Sequence, residues 1–480
     1  MRCSRSSSSG APSCRVHVLD WDFSFLLIPT RELVPWLRLD QGAARRMMFR
    51  LDSRHPVGGC HHQKLVVIDD ALAFVGGIDL AANRWDTPEH RVDDARRRNP
   101  WGRSYAPYHD VQLAVDGEAA GCLGEIARER WHRAGGDQPP RANEEDPAVT
   151  PDPWPPNLPA DLGPARLAIA RTEPAYDGRP PVREIERLYV DSIAAARRYI
   201  YLEHQYLSSR AIGEAICASL AARRGPEIAI VTPLLCAGWI EEGTVGLLRR
   251  RLAARLRAAD RHGRLRLCYA RLPGDRARLH LHSKVMIADD RVVRIGSANL
   301  SNRSMGLDTE CDVQIEAAGD PAVAAAIRAF RDRLLGEHLG VAPWQVAHAM
   351  HVTNGALFAA LDRLGGGERT LAPLAVELPR WLDWVMPPAL GDPERPFESL
   401  RLVEAWSPDL LRDPHRRRLV PLLAAAGVGL AASWLVRRRR GALTALVGAA
   451  LSWLALRELR RGANLQSDCK PCSSRVEALA

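Results

Sequence analysis

The chain has 480 residues, 46% hydrophobic and 26% charged, the composition of a folded protein long enough for two or three cores. Its net charge of +9 is concentrated between Asp409 and Arg461, where eleven arginines face three acidic residues, so a general nucleic-acid-binding surface over the near-neutral remainder gets little support. Ten scattered cysteines lack the dense spacing of a secreted disulfide framework, which points to reduced thiols.

Residues 1–15 are Ser-rich without an apolar core of signal-peptide length and are expected to be disordered. A first α/β unit over 16–134 opens with a strand at Val16 to Leu19 and continues with Arg50-Leu51-Asp52. His62 to Ile68 reads as a strand, turned by Asp69-Asp70 into a second strand, Leu72 to Val75. A polar loop holds Trp85-Asp86-Thr87-Pro88-Glu89-His90. Tyr108 to Leu113 restores a strand, and Glu118 to Arg133 a helix. Residues 135–164, rich in Pro, Gly, Asp and Glu, form a linker.

The second unit, 165–340, alternates strands (Leu167 to Ala170, Tyr199 to Tyr206, Ile228 to Thr232, Leu265 to Tyr269, Thr309 to Ile315) with helices (Val182 to Arg198, Ala211 to Arg224, Thr244 to Ala259, Ala322 to Leu335). The pattern predicts α-β-α sandwich units with mixed sheets. Residues 341–415 read as a helix, Pro343 to Gly366, followed by a connector. Uncharged runs at Leu419 to Val436 and Gly441 to Leu456, flanked by arginines, predict a membrane hairpin over 416–461 before a tail, 462–480. Cys469-Lys470-Pro471-Cys472 in that tail offers too few ligands for a structural zinc. No metal or cofactor is expected.

One stretch occurs twice. His62-Gln63-Lys64, Asp69 and Gly76-Gly77-Ile78-Asp79 return with identical spacing as His282-Ser283-Lys284, Asp289 and Gly296-Ser297-Ala298-Asn299. The chain has only three lysines, and Lys64 and Lys284 are two of them, although arginine is abundant. A compact ammonium and a planar guanidinium are not interchangeable at a crowded anion site, so both lysines are read as chemically required. Residues two apart on a strand share a face, which aims His62 with Lys64 and His282 with Lys284. Asp69 and Asp289 fall at turns and are expected to support the fold. His61 and His280 are expected to face away.

A histidine and a lysine on one face suit phosphoryl transfer, because imidazole can attack phosphorus or move a proton while the ammonium neutralises phosphate oxygens. Ser297 or Asn299 can add neutral donors. Two copies related by a pseudo-two-fold axis would supply one histidine as nucleophile and the other as general acid. The halves are unequal, however: 117 residues separate Ala165 from His282, and 61 precede His62. The first unit is therefore expected to lack a strand-helix-strand section, through unusual packing or a late start of the chain.

The paired H-x-K-x4-D-x6-G-(G/S)-x-(N/D) stretches resemble the signature of the phospholipase D superfamily. Phe74 to Leu80, Arg84 to His90, His109-Asp110-Val111 and Tyr201-Leu202-Glu203-His204-Gln205-Tyr206 resemble the true phospholipase D branch more than its nuclease or cardiolipin synthase branches. The likeness runs from about Val16 to Leu335. It implies two phospholipase D-like units within one chain, an internal pseudo-dimer that is a monomer as a molecule, and a metal-independent reaction through a phosphohistidine. It also implies roles: His62 as nucleophile, His282 as general acid and then base, Lys64, Lys284 and Asn299 on the phosphate, and Glu310 and Asp110 orienting the histidines. Asp79 departs from the commoner asparagine, and beside a phosphate it is expected to be turned away or protonated.

The implied activity is hydrolysis of a glycerophospholipid to phosphatidate and a free head-group alcohol. The alternatives are phosphatidyl transfer, as in cardiolipin synthesis, and an impaired, membrane-bound lipid-binding protein. Expected partners are a phospholipid and the membrane, not nucleic acid. The expected location is the bacterial inner membrane, with the catalytic region in the cytoplasm.

Overall fold

A computed structural model of the chain describes residues 15–21, 47–56, 58–137, 139, 154–236, 239–275, 278–374 and 392–396. All of them fall in one compact unit, Met1–Ser24 with Ile28–Phe397. A second unit, Phe25–Leu27 with Glu398–Ala480, lies outside the described residues.

The second half is built on nine strands: β7 (Leu167–Glu173), β8 (Val182–Arg183), β9 (Tyr199–His204), β10 (Glu227–Val231), β11 (Leu265–Arg271), β13 (Lys284–Ala288), β14 (Val292–Gly296), β15 (Glu310–Glu316) and β16 (Thr370–Pro373), in the order β16-β11-β10-β9-β13-β14-β15-β7-β8. Neighbours β9, β10 and β11 are parallel, and the block β9-β13-β14-β15-β7 is antiparallel. Helices α2 (Glu184–Ala195), α3 (Arg210–Ala221) and α4 (Trp239–Ala259) cover one face, the short α5 (Asn302–Gly306) follows the second motif, and α6 (Pro321–Leu339), α7 (Pro343–Val352) and α8 (Leu357–Leu364) cover the other face.

The strand period decides which core each side chain joins. Tyr199, Tyr201, Val285 and Ile287 pack against α6 to α8, while Ile200, Leu202, Met286 and Ala288 pack against α2 to α4. Because both faces are covered, these strands are apolar at successive positions rather than alternating. Each fully buried aliphatic side chain stabilises the fold by about 1.5–3 kcal/mol.

The first half is smaller. Strands β3 (Leu65–Ile68), β4 (Leu72–Gly76) and β6 (Gln112–Asp116) form an antiparallel sheet under α1 (Gly117–Arg133). Ala73, Val75, Val115, Ala120 and Leu123 form its core, together with Cys311 and Val313 of β15. The parallel pair β1 (Val16–Trp21) and β2 (Met47–Asp52) is a separate sheet. The expected inequality of the halves is therefore present among the described residues. The architecture is nonetheless that of two similar α/β halves making pseudo-two-fold contacts, here through duplicated phospholipase D-like α-β-α units.

Both motif hairpins turn on two aspartates with left-handed backbone: Asp69 and Asp70 at φ 49 and 57, Asp289 and Asp290 at φ 57 and 59. Two consecutive positive φ values are what a tight hairpin turn requires, and aspartate tolerates them. The helix expected over 343–366 is two helices, because Asn354 and Gly355 take φ 52 and 77 and break it. The connector after it begins as a strand, β16, paired with β11.

The expected membrane hairpin needs correction, and with it the membrane partner and the inner-membrane location. No helix among the described residues is long and apolar enough to cross a membrane. The two longest, α4 and α6, carry runs such as Arg249-Arg250-Arg251 and Arg331-Asp332-Arg333 that a bilayer core would not accept. Residues 416–461, where that hairpin was placed, lie outside the described residues, as do 1–14 and 462–480.

Candidate active site

Each motif histidine is held by the opposite half. The His62 N–H donates to the Thr309 carbonyl at 3.0 Å, and its Nδ1 lies 2.9 and 3.0 Å from the two carboxylate oxygens of the next residue, Glu310. The His282 N–H donates to the His109 carbonyl at 2.8 Å, and its Nδ1 lies 2.7 Å from the carboxylate of the next residue, Asp110. The second contact is framed by β5 (Tyr108–His109) running parallel to β12 (His280–Leu281), and the first by a single parallel bridge between His61 and Thr309. The two arrangements are equivalent under the pseudo-two-fold. With Nδ1 occupied by a carboxylate, Nε2 of each ring is left for chemistry.

The environments differ. His62 keeps 24% of its side chain exposed and His282 keeps 7%. Burial would raise the Glu310 carboxyl, but His62, Lys64 and Ser297 hold it below its ordinary value, so it is an anion at neutral pH. Burial pushes Asp110 up to about 6 against the pull of Lys284. Burial, reinforced by the Lys284 and Lys64 charges, holds His282 well below the ordinary imidazole value.

Lys284 is buried, with its ammonium 3.2 Å from His282 Nδ1, donating to the His282 carbonyl and 3.4 Å from Gln205 Oε1. Burial lowers it to about 8. Lys64 donates to the His62 carbonyl at 2.8 Å and lies 3.3 Å from Asp79. The Lys64 charge acts on both His282 and Lys284, and Asp79 is drawn down by Lys64, His282, His62 and Arg84 together, against its own burial. His62, Lys64, Asp79, His282 and Lys284 thus converge on one locus.

Asp79 is neither turned away nor protonated, contrary to expectation. It is an ionised partner of Lys64 and of Arg84, whose guanidinium donates to it at 3.0 Å and lies 5.2 Å from the Tyr108 ring centroid. Ser297 donates to Glu310 at 2.6 Å and accepts from the Cys311 N–H at 2.9 Å, so it fixes the carboxylate that holds His62. Asn299 is 3% exposed, and its Oδ1 has no hydrogen-bond partner among the described residues. Gly77 is required: a Cβ there would stand 2.1 Å from Asp110 Oδ1.

The motif aspartates do not reach the site. Asp289 accepts the N–H groups of Arg197, Arg198 and Tyr199 at 2.7 to 2.9 Å and so anchors the start of β9. Asp69 is exposed on its turn. His280 departs from expectation. Its ring stacks on Tyr108 at 5.3 Å and on His282 at 5.8 Å. His61 is structural, 3.1 Å from Asp52 and 3.1 Å from Thr309 Oγ1. Arg84 and Gln205 were not singled out from the sequence as site residues, although both sit in stretches that carry the resemblance.

Two further groups bring metal-type donors together: His90, His109 and Glu337, and His109, Glu203 and His338. Their nitrogen–oxygen separations of 2.6 to 2.9 Å are hydrogen-bond distances. A tetrahedral zinc with bonds near 2.0–2.1 Å would hold its donors about 3.3 Å apart. The donor set is closed on protons.

A two-half α/β protein in which each half supplies a histidine and a lysine and orients the other's histidine is the class defined by this fold and site. Two family models match the chain: "Phospholipase D" over residues 52–149 and "Cardiolipin synthase, PLD-like domain" over 189–334. Over these two stretches the chain resembles phospholipase D-type proteins. The chain is 25% identical over 367 residues to Phospholipase D A of Dictyostelium discoideum, covering 62% of this chain and 28% of that protein. It is 28% identical over 270 residues to Cardiolipin synthase A of Pseudomonas putida (strain W619), covering 56% and 46%. It therefore spans less than half the length of these curated relatives. Among solved structures, phosphatidylserine synthase of Haemophilus influenzae Rd KW20 aligns with a TM-score of 0.42 at 15% identity, covering 66% of this chain and 73% of that one.

Proposed function

We propose that this protein cleaves a phosphodiester of a glycerophospholipid, releasing phosphatidate and the head-group alcohol through a covalent phosphohistidine. The observation that carries the reading is the crossed pairing of His62 with Glu310 and His282 with Asp110. A carboxylate on Nδ1 holds the proton of a neutral ring on that nitrogen, which leaves the Nε2 lone pair of His62 for attack. His62 is the more exposed of the two rings and is assigned the attack.

In the first step His282 is protonated once the bound phosphodiester anion offsets the Lys64 and Lys284 charges; His62 Nε2 bonds to phosphorus, the bond from phosphorus to the head-group oxygen breaks, and His282 gives its Nε2 proton to that oxygen. In the second, His282 takes a proton from water, the water oxygen bonds to phosphorus, and the phosphorus–nitrogen bond breaks. Lys64, Lys284 and Arg84 are assigned to the charge that gathers on the phosphate oxygens, with Asn299 as a neutral group. Asp79 offsets part of that positive charge through Lys64 and Arg84.

The match of 189–334 to a cardiolipin synthase-type model supports a second outcome of the same intermediate, in which an alcohol replaces water. The test is incubation of the full chain with short-chain phosphatidylcholine, with and without glycerol, following choline and the phosphatidyl product. His62→Ala is expected to abolish choline release and His282→Ala to lower it by about 10²–10⁴-fold. Retained activity in both would sink the reading. With glycerol present, phosphatidylglycerol formation would identify transfer.

A further inference from the structure

Glu203 is fully buried at the end of β9, outside the set of groups assigned to the reaction. Its two oxygens take four hydrogen bonds. Oε1 receives Tyr201 Oη at 2.6 Å and His338 Nε2 at 2.9 Å, and Oε2 receives Ser283 Oγ at 2.7 Å and His109 Nε2 at 2.8 Å. A carboxylate has about four lone-pair sites, so this one is saturated. Two of its four donors bracket His282: Ser283 follows it in the chain, and His109 supplies the carbonyl that holds its N–H and immediately precedes Asp110.

We propose that Glu203 is a positioning residue for His282, tying Ser283 of the second half and His109 of the first into one buried knot that fixes the histidine against Asp110. This deepens the proposed phosphodiester chemistry and rests on it for the kinetic consequence. The His109 ring spans two carboxylates, with Nδ1 2.6 Å from Glu337 and Nε2 2.8 Å from Glu203. Two ionised acceptors require a proton on each nitrogen, so His109 is a standing imidazolium. Its surroundings agree. Burial opposes the charge, but Glu203 and Glu337 raise His109 to about 10. His338, its ring 4.7 Å away on α6, is held below its ordinary value by burial and donates only from Nε2. His90, 5.6 Å away on the loop, shares Glu337 and is held from behind by Asp86, itself paired with Arg97. Ser283, Tyr201, Asp110 and Arg369, whose charge acts on Glu337, also face the knot.

The first half has a counterpart. Asp52, at the end of β2, holds His61, which meets Thr309, the residue whose carbonyl takes the His62 N–H and which precedes Glu310. In both halves a carboxylate at a strand end is linked to the residue before the orienting acid. One link runs through His61 and the other directly to His109.

The experiment uses the full chain labelled with 15N-histidine, with His109 and His282 assigned from His109→Gln and His282→Gln. In the wild type both His109 ring nitrogens are expected to stay protonated from pH 6 to 9. In Ser283→Ala and Glu203→Gln the His282 ring signals, which read its bond to Asp110, are expected to move. In Glu203→Gln His109 should also lose a proton within that pH range. On the phosphodiester substrate, kcat should fall about tenfold in Ser283→Ala and about 10²-fold in Glu203→Gln with KM within twofold, the pattern of a displaced rather than missing group.

Ser283→Ala removes one donor and keeps the fold measurable should Glu203→Gln fail to fold. A singly protonated His109 ring at pH 7, unmoved His282 signals in Ser283→Ala, or a stoichiometric metal that co-purifies and is lost in Glu203→Gln would each overturn the proposal. If no phosphodiester is turned over, the ring signals still decide it, and the failure belongs to the activity instead.

Discussion

Lys284 and Lys64 share a motif position but not an environment, since Lys284 is 1% exposed and Lys64 keeps 11% of its side chain in solvent. Burial lowers Lys284 to about 8, so its charge is present below that pH and is lost as pH rises through it. An ammonium that neutralises phosphate must be charged, and kcat/KM is expected to fall tenfold per unit above about pH 8. A pH–rate profile checks this, and a flat alkaline limb to pH 10 would contradict it. Lys64→Arg is expected to lower kcat by about 10²-fold while leaving the melting transition in place, because a guanidinium does not fit between the His62 carbonyl and Asp79. The matched lysines were legible because the sequence is otherwise so poor in lysine. The setting of Asp79 was not, because it depends on Arg84, brought in by a loop with no periodicity of its own.

The two motif hairpins have the same turn but different supports. Asp289 satisfies three backbone N–H groups where β9 begins, and Asp69 has no such strand beside it among the described residues. Asn retains the left-handed backbone at both sites, which isolates the carboxylate. Asp289→Asn is expected to destabilise the fold by about 2 kcal/mol and Asp69→Asn by less than about 0.5 kcal/mol, read as shifts in urea midpoint. Equal effects would mean that the turn geometry matters and the anchoring does not. Apolar runs made the strands β7, β9, β10, β11 and β15 and the helices α2, α3, α4 and α6 legible, whereas the short β8, β12 and β16 are too brief to show a pattern. The split of 343–366 into α7 and α8 was hidden, because Asn354-Gly355 breaks a pattern that is apolar on both sides. The kinship of His280 with the site was also hidden until strand β12 fixed its face.

Across the molecule, the site exists only because the halves exchange partners: Glu310 reaches back to His62, and Asp110 reaches forward to His282. That exchange spans 248 residues in one direction and 172 in the other, and no local pattern encodes it. The duplicated motif implied two equivalent half-sites, and the family resemblance supplied the carboxylates. Glu310→Gln and Asp110→Asn are each expected to lower kcat by about 10²–10⁴-fold with KM little changed, since each leaves a histidine in place but free to turn. Equal loss of KM and kcat, with loss of folded protein, would assign them to the fold alone.

In the proposed reaction the difference in exposure assigns the attack to the Glu310-held histidine, His62. The most direct measurement is rapid quenching of the full chain turning over short-chain phosphatidylcholine, followed by peptide mass spectrometry under alkaline conditions that preserve phosphoramidates. The account predicts a phosphatidyl adduct on His62, accumulating further in His282→Asn. An adduct on His282 instead, or steady turnover with no adduct on either histidine, would contradict it.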